Sequence, residues 1–361
     1  MSEKKNQNKK SIFALILALI LGFSGLGIGV FTLVAGPQGE PGIDGQDGQD
    51  GQDGEDAPGT ENLYYCQSQA EIESAIITIG SGFGKIIITE NFAIGEYTLD
   101  INGSGSYVIE GAGLVTISTN GLIGIEITDA SSVIIRDVIF DGTSLSGASP
   151  VINIPGGDSF NSLTIENVYF YGDSDGSGIV CWSDNVTVTN CEFFNLQYGM
   201  NFPDQSNIAI IGNKLDRMSQ TGIVTGGSGC VISDNIVNHS RRGIYLSDAH
   251  ETVVSNNLVT EISQYGIYTE GDNSIFTGNL VYSSYDAPNG NIYGFYLDSA
   301  ADNNILTGNV IAFLTPSIYI GYSMFVLGSE NTITGNRIYG NDVNAISDAG
   351  TGNLLTGNNV G

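Results

Sequence analysis

VISDNIVNHSRRGIYLSDAHETVVSNNLVTEISQYGIYTEGDNSIFTGNLV, residues 231–281, states one pattern three times. Asn235, Asn257 and Asn279 stand 22 residues apart, each set between two short apolar runs. Outward from here the beat runs back through Asn213, Asn190 and Asn167 to Asp137, and on through Asn309, Asn336 and Asn358. Successive spacings are 30, 23, 23, 22, 22, 22, 30, 27 and 22. A repeat of this length marks a solenoid, in which one coil cannot bury its apolar face without its neighbours. Between the asparagines a second element recurs as GIVCW at Gly178, GMNF at Gly199, GIVT at Gly222, GIYL at Gly243, GIYT at Gly266 and GFYL at Gly294. Short runs of alternating polarity separated by Gly, Asn, Ser and Asp read as strands and turns, not helices.

The fold class expected is all-β: a right-handed parallel β-helix with coils of about 22 residues. Asparagine suits the turn because it tolerates left-handed backbone angles. Stacked coils also let one side-chain amide bond the next. Asn167, Asn190, Asn213, Asn235, Asn257, Asn279, Asn309, Asn336 and Asn358 are therefore read as a structural ladder.

SENTITGNRIYGN and ADNNILTGNVIAF resemble the β-helix repeats of the periplasmic copper-processing accessory proteins of nitrous oxide reductase. The earlier coils, with Asn167–Phe170, Asn190–Phe193 and Asp137–Phe140, look more like the pectate-lyase superfamily. QAEIESAI, Gln69 to Ile76, is similar to the short helix that caps such solenoids. The resemblance covers residues 66–361. It implies the fold and leaves the activity open, since this fold hosts lyases, hydrolases, epimerases, adhesins and phage spikes.

Residues 1–10 form a basic tail with Lys4, Lys5, Lys9 and Lys10. Within residues 11–35, Ile12 to Ala35 is an uncharged apolar run, long enough to span a bilayer as a helix. The lysines before it place the N-terminus in the cytoplasm and the remainder outside, as a single-pass cell-membrane protein. A cleaved secretory signal is the alternative, although its apolar core is shorter. Residues 36–56 are seven unbroken Gly-x-y triplets, which read as a collagen-like stalk and hence a homotrimer, with a disordered linker as the alternative. Residues 57–65 read as a hinge.

The formal charge is −28, and residues 61–361 hold 31 acids against seven Lys and Arg. Such a surface excludes nucleic acid as a partner. Cys66, Cys181, Cys191 and Cys230 match no zinc spacing and read as buried thiols, with a disulfide as the alternative. The lyase and hydrolase segments expected of the superfamily are absent. One basic cluster remains, NHSRRGIYLSDAH, which holds both histidines of the chain.

Four residues beyond successive ladder positions stand Arg217, His239 and Glu261. They are read either as a surface salt-bridge column or as a proton-transfer column, with Arg241 alongside. Tyr245, Tyr268, Tyr296 and Tyr319 share one place in successive coils and read as an outward aromatic strip for a sugar or a protein. Carboxylates recur in another turn, at Asp184, Asp204, Asp248, Asp272, Asp302, Glu330 and Asp348. No cofactor is required by this pattern, and Ca2+ is the metal such turns could hold. The functional expectation is a surface protein for adhesion or for recognition of a glycan or neighbouring surface protein. The alternatives are a polysaccharide lyase or epimerase, and a purely structural component.

Overall fold

The computed structural model describes residues 62–361, apart from 96–97, 120–122, 148, 157–160, 285–290, 314–320 and 340–344. It is an all-β, right-handed parallel solenoid of about 12 turns. The first strand, Asn62–Cys66, pairs in parallel with Phe83–Ile88, so regular structure begins inside the stretch read as a hinge. Between them lies the helix Gln69–Ile79, capped by the Ser68 side chain at the Glu71 N–H. Its buried side chains Ile72, Ala75, Ile76 and Ile79 close the first coil from below.

Each central coil contributes three short strands. One joins an eleven-stranded parallel sheet that includes Ser177–Cys181, Tyr198–Phe202, Thr221–Thr225, Arg242–Leu246, Tyr265–Thr269 and Tyr293–Leu297. The other two join a larger sheet, as Val231–Ser233 and Ile236–Asn238 do. Inward residues stack in columns: Ile179, Met200, Ile223, Ile244, Ile267, Phe295 and Met324 follow one another in register and are all buried. Phe140, Phe170 and Phe193 form a second column with ring centroids 5.4 and 4.6 Å apart. Each such side chain contributes about 1.5–3 kcal/mol by leaving water.

Two columns hold the coils in register. The first is the amide ladder from Asn213 through Asn235, Asn257, Asn279, Asn309 and Asn336 to Asn358, buried except at this last, half-buried member. Each Nδ2 donates to the Oδ1 of the next at 2.9–3.0 Å. The same oxygen also accepts the backbone N–H of the preceding member, as Asn257 Oδ1 does from Asn235. Asn167 and Asn190 stand outside this column. They are exposed turn residues with φ 54°, and the ladder position in their coils falls one residue later. Cys191 occupies it, its N–H donating to Asn213 Oδ1. The left-handed conformation belongs throughout to the residue before the ladder: Gly212, Asp234, Asn256 and Gly278 hold it, not the buried asparagines.

The second column is glycine. A Cβ on Gly178, Gly199, Gly222, Gly243 or Gly266 would lie 2.5–2.7 Å from the carbonyl oxygen of the next glycine up the stack. The backbones approach too closely there for any side chain.

One expectation about location is corrected. Among the described residues no helix is long and apolar enough to cross a membrane, so a single-pass membrane topology does not follow from this structure. The apolar run 12–35, the triplets 36–56 and the trimer they imply lie outside the described residues.

Candidate glycan-binding face

The outer face of the eleven-stranded sheet carries an aromatic platform. Parallel register sets Tyr245, Tyr268, Tyr296 and Phe325 in one row. Tyr245 and Tyr268 stack with centroids 4.9 Å apart and planes 13° apart. Tyr296 meets Tyr268 edge-on at 5.1 Å. The place expected for Tyr319 belongs to Phe325, 5.2 Å from Tyr296; Tyr319 lies outside the described residues.

A second row runs beside the first. Tyr265 stacks on Tyr293 at 5.5 Å, and Tyr322 stacks on Phe325 at 5.2 Å. Tyr265 also touches Tyr268 and Tyr296, each at 5.0 Å. Strict alternation sends residues three apart to opposite faces. Here the intervening glycine column, Gly266 in this strand, interrupts that alternation, so YGIY presents both of its tyrosines outward.

Polar groups edge the platform. The Tyr245 hydroxyl donates to Glu270 Oε2 at 2.8 Å. The Tyr268 hydroxyl lies 2.6 Å from Glu270 Oε1 and 3.0 Å from Asp298 Oδ2. Burial first, and then these carboxylates, hold the Tyr268 phenol far above its ordinary range. Burial raises Tyr245, Tyr265 and Tyr296 as well. The phenols are thus neutral hydrogen-bonding groups at physiological pH and do not act as bases. At the opposite edge the Arg242 guanidinium sits over the Tyr245 ring at 5.1 Å.

The column of Arg217, His239 and Glu261 stacks through its backbone, and all three residues are left-handed turn residues with φ 63°, 49° and 48°. Their side chains do not form the expected relay. His239 Nδ1 meets Asp216 Oδ1 at 2.9 Å, and Arg217 Nε lies 3.9 Å from Asp216 Oδ2 and packs its guanidinium on Phe194. Glu261 turns instead to Ser284, accepting from its backbone N–H and its hydroxyl. Arg241 donates to Gln220 Oε1 at 3.0 Å. Asp216, which precedes the column, is the carboxylate that gathers the cations, and counting from the ladder alone passes over it.

Four of the seven turn carboxylates are occupied locally. Asp184 accepts the Ser206 N–H, Asp302 that of Ser329, and Asp348 that of Gly350, while Asp272 pairs with His250. Among the described residues no group of three or more His, Cys, Asp and Glu is arranged to hold a metal. The four cysteines are buried and unpaired with one another. Burial pushes the Cys181 and Cys191 thiols up to about 12. At pH 8 this leaves roughly a thousandth of the thiolate an ordinary cysteine would carry. Iodoacetamide is therefore expected to spare both in the folded protein and label all four cysteines in urea; labelling of the folded protein at the free-cysteine rate would contradict their burial. Keeping these thiols neutral adds stability that is full below their ordinary value of 9.0 and is lost as pH rises through about 12.

Far from the platform, a cavity of about 640 Å³ opens among Gly111, Leu114, Val138, Ile139 and Tyr169, with Asp137 as its charged group. It is largely apolar and shares no residue with the platform.

Residues 152–289 match the family described as periplasmic copper-binding protein (NosD). Copper favours thiolate, thioether or clustered imidazole ligands. Here the thiols are buried singly, and the two imidazoles face different carboxylates, so the described residues do not fit a copper centre. No curated protein matches the chain in sequence. Among solved structures the chain is similar to a GH136 lacto-N-biosidase from Eubacterium ramulus, at 11% identity and TM-score 0.57 over 83% of this chain and 68% of that one. It is also similar to a PL6 family polysaccharide lyase from Pseudopedobacter saltans, at 13% identity and TM-score 0.54, covering 82% and 92%. A mutant tailspike protein of E. coli bacteriophage HK620, in complex with a pentasaccharide, matches at 14% identity and TM-score 0.53, covering 82% and 63%. At these identities the likeness establishes the pectate-lyase-like solenoid and nothing finer.

Proposed function

We propose that the solenoid is a carbohydrate-recognition head working outside the cytoplasm, and that it binds glycan along the tyrosine face. The observation that carries this is the double row of seven aromatic rings with hydrogen-bonding carboxylates along one edge. Aromatic faces stack on the apolar faces of sugar rings, while fixed acceptors such as Glu270 and Asp298 read their hydroxyls. The structural neighbours named for saccharides support the same reading by analogy of fold. The matched family's periplasmic description supports an extracellular or periplasmic setting.

A glycan array probed with the full-length protein tests it. Tyr268→Ala removes the ring that touches Tyr245, Tyr265 and Tyr296, and is expected to weaken binding about tenfold or more. Unchanged affinity in this variant would remove the platform from the function, as would an array with no bound glycan.

A catalytic reading of the same face is favoured by one observation: a single hydroxyl, that of Tyr268, reaches both Glu270 and Asp298 on successive coils. Two carboxylates beside a sugar bond are the apparatus of glycoside hydrolysis. New reducing ends from a bound glycan, lost in both Glu270→Gln and Asp298→Asn, would establish it; intact glycan after prolonged incubation leaves recognition as the function.

A further inference from the structure

The platform carries unneutralised charge of opposite sign at its two edges. Arg242 lies over Tyr245, Tyr265 and Tyr268 at 5.1, 5.9 and 5.8 Å, and its Nε is buried without a hydrogen-bond partner. Arg241 beside it is exposed and bonds only the neutral Gln220. Among the described residues Lys85, Arg136, Lys214 and Arg217 each have a carboxylate within 4 Å, whereas Arg241, Arg242 and Arg337 do not, and only the first two of these three stand side by side. In a region with 31 acids against seven Lys and Arg, two adjacent arginines without an acid form a local positive spot beside the rings. Across the platform, Glu270 and Asp298 accept hydrogen bonds from the phenols, and Asp298 also from Ser299, yet neither meets a cation among the described residues. The Arg242 guanidinium reaches over the Tyr245 and Tyr268 rings, whose hydroxyls bond Glu270 on their far side, without forming an ion pair with that carboxylate. The fold holds these charges apart instead of pairing them.

We infer that the platform is matched to a dipolar saccharide, with a carboxylate on one ring and a free amino group on a neighbouring ring. This rests on reading the platform as a glycan site. The sugar carboxylate meets Arg241 and the edge of Arg242 in a charge-assisted hydrogen bond. The ammonium meets Glu270 and Asp298 in charge-assisted hydrogen bonds. A purely anionic chain brings its other charges against Glu270 and Asp298. A purely cationic chain is repelled at the arginines, and a neutral one leaves both edges unanswered.

Four hexasaccharides separate these cases by calorimetric titration of the full-length protein in mildly acidic buffer, where amines are protonated. They are de-N-acetylated hyaluronan, which alternates glucuronate with glucosamine; hyaluronan, acid only; chitosan, amine only; and N-acetylchitohexaose, uncharged. The dipolar chain is expected to bind about tenfold or more tightly than each of the others, the scale of one charged hydrogen bond. Arg241→Gln should erase its advantage over chitosan, and Glu270→Gln its advantage over hyaluronan. Equal binding of the dipolar and uncharged chains overturns the inference and leaves the platform as a neutral glycan site. Equal binding of the dipolar chain and hyaluronan overturns the carboxylate edge. If the protein holds none of the four while an array glycan still depends on Tyr268, the dipolar specificity falls and the platform stands; if array binding is absent as well, both fall.

Discussion

Replacing Asn257 by alanine is expected to lower the unfolding free energy by about 3–5 kcal/mol, from two or more buried polar groups left unpaired. The side chain makes four bonds. Its Oδ1 accepts the Asn235 N–H and Nδ2, both at 3.0 Å; its Nδ2 donates to Ile232 O at 2.8 Å and to Asn279 Oδ1 at 3.0 Å. Alanine removes all four and leaves a cavity that is fully buried, so water does not replace them cheaply. Asn190→Ala is the contrast. Asn190 is exposed and outside the ladder, and the change costs only the left-handed conformation, about 1 kcal/mol. Urea unfolding followed by circular dichroism decides between them. A loss below about 1 kcal/mol for Asn257→Ala would mean that the column is not what holds the coils together.

Gly243→Ala is expected to cost about 2–3 kcal/mol, the upper range for overpacking a well-filled interior. The added methyl would sit 2.3 Å from Val259 Cγ1 and 2.5 Å from Gly266 O. The valine can turn, but the carbonyl belongs to the next coil and moves only if the stack opens. Gly308→Asn provides the control. That glycine has φ 65° and open space where a Cβ would stand, and Asn256 already fills the equivalent turn position two coils below. It is expected to be close to neutral, because asparagine is the side chain that best tolerates this conformation. A shift in thermal midpoint as large for Gly308→Asn as for Gly243→Ala would show that backbone conformation, not closeness of approach, governs the glycines.

The solenoid was legible because its signal is periodic: one apolar side chain lost per coil would leave the column of Ile223, Ile244 and Ile267 unfilled. Register was legible from Asn213 onward, across steps of 22, 30 and 27, and failed before it. Between Asn190 and Asn213 the step is 23, and the extra residue marks the change from a turn asparagine to a buried one. One residue separates these roles in sequence, and composition cannot tell a left-handed asparagine from a ladder asparagine. The row of Tyr245, Tyr268 and Tyr296 was visible for the same periodic reason. Tyr265 and Tyr293 were passed over because period two assigns them to the opposite face, and it takes the bare backbone of Gly266 to overrule that. Asp216, Glu270 and Asp298 gain their significance from side-chain partners one coil away, a relation that register alone leaves unspecified.

The amide column has a further implication for how such a head can change. Its links are 3.0 Å across a step of 22 residues, 3.0 Å across a step of 30 and 2.9 Å across a step of 27. Rise along the axis is thus uncoupled from chain length, as on a rack whose teeth stay evenly cut whatever is hung between them. The closure entropy of a longer loop grows only slowly with its length. A lineage could therefore rewrite the rim beside the aromatic platform, and with it the partner recognised, without renegotiating the stack beneath.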